Sequence, residues 1–154
     1  VQRYQSSALR RGRVSETGRI YLLTTVTHER QLLFDNVYAG RKVVEQLRET
    51  QSSGLAQTLC WVLMPDHLHW LVQLEHDSLE SLMRRFKSRS AKAVNQHLGT
   101  HGRVWQKGYH DHALRAEEDV IDLARYVVAN PLRAGLVSRL ADYPLWDAIW
   151  LKAP

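Results

Sequence analysis

Apolar residues change their spacing several times along the chain, and each change marks a predicted element. From Arg19 to Thr27 the β-branched and aromatic residues Ile20, Tyr21, Thr24, Thr25, Val26 and Thr27 predict a strand. Asp35 or Asn36 can then cap a helix in which Val37, Val43, Val44 and Leu47 recur at helical spacing, until Ser52, Ser53 and Gly54 break it. Gln57 to Met64 is almost continuously apolar, as expected of a central strand covered on both faces, and Pro65-Asp66 turns the chain. In the returning strand Leu68, Trp70, Val72 and Leu74 point one way, and His67, His69, Leu71 and Gln73 the other. Ser78 to His97 predicts an amphipathic helix with Leu79, Leu82, Met83, Phe86, Ala93 and Val94 on one stripe. A loop with Gly99, Gly102 and Gly108 leads through Trp105 to a strand at Tyr109 to Arg115. A helix from about Glu117 to Asn130 follows, stopped by Pro131. The tail, with Tyr143, Trp146 and Trp150, is expected to wrap back on the body.

The order β-α-β-β-α-β with one more helix predicts an α+β fold, a ferredoxin-like or RRM-like antiparallel sheet with its two main helices on one face. The face bearing Leu68 and Trp70 would meet those helices. His67 and His69 would then lie on the other, beside the additional tyrosine-bearing helix.

With 154 residues the chain can bury roughly 70% of its unfolded surface in one core, so residues 19–154 are read as a single domain behind a basic arm, residues 1–18. Composition, 44% hydrophobic and 24% charged, excludes disordered and fibrous classes. No apolar run approaches the ~20 residues that span a bilayer, and the polar N-terminus lacks a signal-peptide core, so a cytoplasmic protein without a membrane partner is expected. The lone Cys60, in an apolar stretch, reads as a buried structural thiol. A formal charge of +5 favours a polyanionic partner if the charge is clustered. Clusters exist in two places. Arg10, Arg11 and Arg13 sit in the arm, and Arg84, Arg85, Arg89 and Lys92 share the polar side of the second helix. They can track a nucleic-acid backbone or simply be solvated. Trp105 can stack on a base or pack in the core.

Two imidazoles one residue apart on a strand can reach one metal ion. The spacing alone is weak, because His110-Asp111-His112 repeats it in a polar strand. His67 and His69 instead interrupt one of the most apolar stretches, where an unpaired imidazole is costly. On the last helix Val120, Leu123, Ala124, Val127 and Val128 form the buried side, while Asp119, Asp122, Tyr126 and Asn130 line another. Tyr126 either serves as a nucleophile there or merely flanks the core.

MPDHLHWLV (residues 64–72) and ARYVVANPLRAGLV (124–137), with RVWQKGYHDHALR (103–115) between them and ADYPLW (141–146) after, resemble the REP-associated tyrosine transposases. These are a branch of the single-tyrosine HUH transposases, and the resemblance runs from Arg19 to Trp146. It implies His67 and His69 as metal ligands, Tyr126 as the catalytic tyrosine and Asn130 as a third, amide-bearing ligand. The commonest family form has Asn where this chain has Asp66. The implied activity is Mg²⁺- or Mn²⁺-dependent cleavage and joining of hairpin-forming single-stranded DNA through a 5′-phosphotyrosine, by a monomer or, as often in the wider family, a homodimer. A non-catalytic nucleic-acid binder on the same fold and a hydrolase using water as nucleophile are the rival readings.

Overall fold

The computed structural model describes residues 15–115 and 118–152. Five strands form one antiparallel sheet: β1 (Ile20–Val26), β2 (Ala56–Met64), β3 (His67–Leu74), β4 (His110–Ala113) and β5 (Trp146–Ala148), in the order β4-β1-β3-β2-β5. Its first four strands have the ferredoxin-like arrangement predicted. Helix α1 (Val37–Ser52) links β1 to β2, α2 (Leu79–Leu98) links β3 to β4, and α3 (Val120–Val128) and the one-turn α4 (Asn130–Arg133) precede β5.

Local chemistry explains the helix ends. The Asn36 side chain accepts hydrogen bonds from the Tyr38 and Ala39 amides, so Asn36 rather than Asp35 caps α1. Ser78 accepts from Ser81 N at the start of α2, and Gly99 ends it at φ 67°, where a Cβ would be strained. Asp119 caps α3 by accepting from the Ile121 and Asp122 amides, two residues after the predicted start. Pro131 does not terminate the chain's helical course there. It sits in the first turn of α4, where its missing N–H costs nothing, and the two helices meet at Ala129.

The sheet carries apolar clusters on both faces. Tyr21, Leu23, Trp61, Leu63, Leu68, Trp70, Val72 and Leu74 pack with Val43 and Leu47 of α1 and with Leu82, Met83, Phe86 and Val94 of α2. On the other face Cys60, Val62, Met64 and Leu71 pack with Ala124, Val127 and Val128 of α3 and Ala148 of β5. The histidine face is therefore partly roofed by the tyrosine-bearing helix.

One feature of β2 departs from simple alternation. Opposite β3, Thr58 pairs with Val72 and Cys60 with Leu71, leaving Leu59 as an extra residue. This β-bulge shifts the side-chain phase: Ala56 joins the helix-side core before it, Trp61 and Leu63 after it. The tail folds back as expected, and does so by strand pairing. Tyr143 Oη donates to Leu63 O, and Leu63 N donates to Leu145 O at 2.9 Å, which starts the β5 edge. The end of the predicted arm is also tethered, with Gly18 N donating to Leu74 O at 2.6 Å and Leu79 N to Ser15 Oγ at 3.1 Å.

Candidate active site

β3 presents His67 and His69 on the α3 side of the sheet, with ring centroids 4.9 Å apart and planes at 83°. Each ring is held through Nδ1. His67 Nδ1 lies 2.6 Å from Asp66 Oδ1, and His69 Nδ1 lies 2.9 Å from Thr24 Oγ1, directly across the β1–β3 ladder. When Asp66 is ionised and the His67 ring is neutral with its proton on Nδ1, the Nε2 lone pair is left for a cation. Burial raises the Asp66 carboxyl, but hydrogen bonding and charge from His67 and then Arg30, 3.3 Å away, outweigh it and hold the group below its ordinary range. Burial, followed by the charges of His67 and Arg133, pulls His69 down from 6.5 to about 4. His69 is thus neutral near pH 7, as a metal ligand must be.

Tyr126 projects from the exposed side of α3, with 62% of its surface accessible, while Ala124, Val127 and Val128 anchor the helix to β2. Its ring is covered on one face by Arg133, whose guanidinium carbon sits 3.8 Å from the ring centroid. Arg133 is the link between the two halves of the site, since its charge also acts on His69. Asn130, at the junction of the helices, donates from Nδ2 to Val127 O at 2.8 Å, which leaves its Oδ1 as the atom able to meet a cation. Two imidazole nitrogens and an amide oxygen, completed by water, suit a labile divalent ion. Among the described residues no group of three or more His, Cys, Asp or Glu converges.

Other residues singled out in the sequence lie elsewhere. Trp105 is a core residue: it is 3% exposed, packs on Phe34 and Phe86, and donates from Nε1 to Ser90 Oγ at 2.9 Å. It is not available to stack on a base. The basic stripe of α2 belongs to the helix side, across the sheet from the histidines. Arg84 and Lys92 are exposed there, but Arg85 and Arg89 both pair with Glu49 of α1, at 2.7 and 3.4 Å. Arg10, Arg11 and Arg13 lie outside the described residues. His112 of the second histidine pair is engaged by the Glu118 carboxylate at 3.1 Å. Sequence reasoning missed Arg133 and Thr24. The signal for Arg133 was its spacing, seven residues or two helical turns after Tyr126; for Thr24 it was cross-strand register, which depends on which strands pair.

Residues 17–130 match the family described as "Transposase IS200 like". The chain belongs to that family. The match includes His67, His69, Tyr126 and Asn130 and stops short of Arg133. A REP-associated tyrosine transposase of Escherichia coli (strain K12) is 28% identical over 86 residues, 54% of this chain and 49% of that protein, so the aligned segment spans about half of the relative's length. A candidate REP-associated tyrosine transposase of Haemophilus influenzae is 25% identical over 140 residues, covering 82% of this chain and 78% of that one. Among solved structures, a REP-associated tyrosine transposase bound to a REP hairpin superposes with a TM-score of 0.71 at 22% identity, covering 95% of this chain and 82% of that one. A candidate transposase from Deinococcus radiodurans gives 0.54 at 16% identity, covering 75% and 93%. Both share the fold. The expected resemblance to REP-associated transposases and the expected sheet architecture are borne out. Among the described residues no helix is long and apolar enough to cross a membrane.

Proposed function

We propose that this chain nicks and rejoins single-stranded DNA with Tyr126 as the nucleophile, using a Mg²⁺ or Mn²⁺ ion held by His67, His69 and Asn130. The observation that carries this reading is the docking of α3 on the histidine face, with Arg133 contacting Tyr126 and acting electrostatically on His69. Nucleophile, cation and ligand pair then share one side of the sheet. The named relatives support a hairpin-forming, REP-type strand as substrate. One domain behind a basic arm, acting as a monomer in the cytoplasm, fits the reading.

A phenol is a weak nucleophile near neutral pH, so the neighbouring positive charge matters. Tyr126 Oη attacks phosphorus and the Oη–P bond forms. The P–O3′ bond breaks as the phenol proton is lost to solvent, and the departing 3′ oxygen takes up a proton to leave a free 3′-OH. The 5′-phosphotyrosine conserves the phosphodiester energy, so a 3′-OH can reverse the step without a nucleotide cofactor. Held by His67, His69 and Asn130, a divalent ion would supply Lewis-acid polarisation of the scissile phosphate and stabilisation of the leaving oxygen. Asp66 and Thr24 hold the imidazoles in place through Nδ1, and Asn130 braces the corner between α3 and α4.

Incubating the protein with an end-labelled single-stranded REP-type hairpin and Mg²⁺ or Mn²⁺ tests this. An SDS-resistant adduct should form, and Tyr126→Phe should abolish it. Continued cleavage by Tyr126→Phe would favour water as nucleophile, and binding without cleavage by either protein would favour a non-catalytic binder.

A further inference from the structure

Several described arginines have a carboxylate partner. Arg30 pairs with Asp66, and on the α3 and tail segments Arg125 pairs with Asp122 and Arg139 with Asp142. Arg133 is exposed, and among the described residues no carboxylate lies within ion-pair distance of it. Its contact is instead the Tyr126 ring at 3.8 Å. The backbone there is fixed: Arg133 N donates to Ala129 O at 3.1 Å, Ala134 N to Asn130 O at 2.9 Å, and Gly135 ends the turn at φ 71°. The Ala129 corner between α3 and α4, followed by Pro131, brings Arg133 back over the tyrosine.

With its carbon 3.8 Å from the ring centroid, the guanidinium can lie face-on to the ring, which keeps its N–H donors in the plane, pointing outward around the rim. Stacking removes rotamer freedom in advance, so the fork is oriented before a ligand arrives. The ligand that matches an unpaired planar fork is an anion with two oxygens in a plane, a carboxylate or a phosphodiester. Next to an exposed tyrosine on a basic chain of the IS200-like family, the phosphodiester is the fitting one.

We propose that Arg133 is a further catalytic residue: it grips the non-bridging oxygens of the scissile phosphate while stacked on Tyr126, so that phosphorus is presented to the phenol oxygen. This rests on the tyrosine-nucleophile reading above. Arg133 forms and breaks no covalent bond; it counters the charge that builds on the phosphoryl oxygens as Oη–P forms and P–O3′ breaks.

The test compares wild type, Arg133→Ala, Arg133→Lys and Tyr126→Phe on two metal-supplemented hairpins. One carries a normal phosphodiester at the cleavage step, the other an uncharged methylphosphonate. Single-turnover adduct formation by Arg133→Ala should fall about 10²- to 10³-fold on the phosphodiester and by much less on the methylphosphonate. Lys should recover only part of the loss, because it keeps the charge without the fork or the stack. Thermal melts should stay unchanged, since the side chain is exposed. An equal loss on both substrates, or none, overturns the proposal while the nucleophile reading stands. If wild type forms no adduct, the nucleophile reading falls, and the phosphate contact is judged by binding alone. Arg133→Ala should then lower the salt slope of hairpin affinity by about one, and an unchanged slope overturns the contact.

Discussion

Replacing His69 by Asn isolates a pH effect whose size follows from the burial of this ring. Asn keeps a polar atom near the Nδ1 position, able to bond Thr24, and removes the titration. In the folded chain His69 is pulled from 6.5 to about 4, by burial first and then by His67 and Arg133. Between those values the unfolded chain binds a proton that the folded chain refuses, so stability is complete above the unfolded value and declines as pH falls. From about pH 7.5 to about pH 5 the loss amounts to ~2 kcal/mol, the greater part of what the whole shift can contribute. Other groups titrate in both proteins and cancel in the difference. Urea denaturation in EDTA, repeated across that range, should therefore give a wild-type curve that loses ~2 kcal/mol more than the His69→Asn curve. Parallel curves would mean that His69 is protonated in the fold as readily as in water. A ring with that behaviour would not be a preformed neutral ligand.

Asp66→Asn should weaken Mn²⁺ binding by calorimetry about 10- to 100-fold, through loss of the carboxylate that orients His67, and an unchanged affinity would refute that role. Trp105→Ala should cost about 3 to 5 kcal/mol in chemical denaturation, since it empties a core site and removes the bond to Ser90, while the folded fraction binds hairpin DNA normally. Lost DNA affinity at full stability would instead make Trp105 a stacking platform. Burial pushes the Cys60 thiol up to about 12, so a thiol reagent should label it only as the chain unfolds, and rapid labelling of the native protein would contradict its placement. Gly40→Val should destabilise by about 1 to 3 kcal/mol in urea, because even an ideal Cβ there lies 2.6 Å from Leu145 Cδ1.

Most elements were legible because period and punctuation agree. Alternation in β3 separates Trp70 from His69, and Asn36, Ser78 and Gly99 mark helix ends by local hydrogen bonding. What stayed hidden depends on partners distant in sequence. The arginine stripe of α2 looks like a free basic face until Glu49, on another helix, is brought against Arg85 and Arg89. Trp105 sits in a glycine-punctuated loop, and only the packing of Phe34, Phe86 and Ser90 around it makes it core. Strand β5 is three residues long and takes its order from Leu63 and Tyr143, not from its own pattern. For the site, the histidines and tyrosine were readable as motifs. Arg133 was not, because Pro131 reads as a stop and hides the second helical turn that carries it.

The extra residue in β2 has a practical meaning for anyone altering this strand. Counting in twos back from Met64 predicts the histidine-side positions correctly as far as Cys60, and counting forward from Ala56 predicts the helix-side ones only as far as Thr58. Deleting Leu59 would merge the two frames. Thr58 and Cys60 would then be neighbours opposite the neighbouring Val72 and Leu71, and both flanking segments would keep their faces; pairing Leu59 into a regular ladder would instead turn Trp61 and Leu63 toward α3 in place of Cys60, Val62 and Met64. The bulge thus acts as a reading-frame marker written in side-chain geometry: a strand grafted here must either carry it at the same distance from the histidine turn or lack both the bulge and its extra residue.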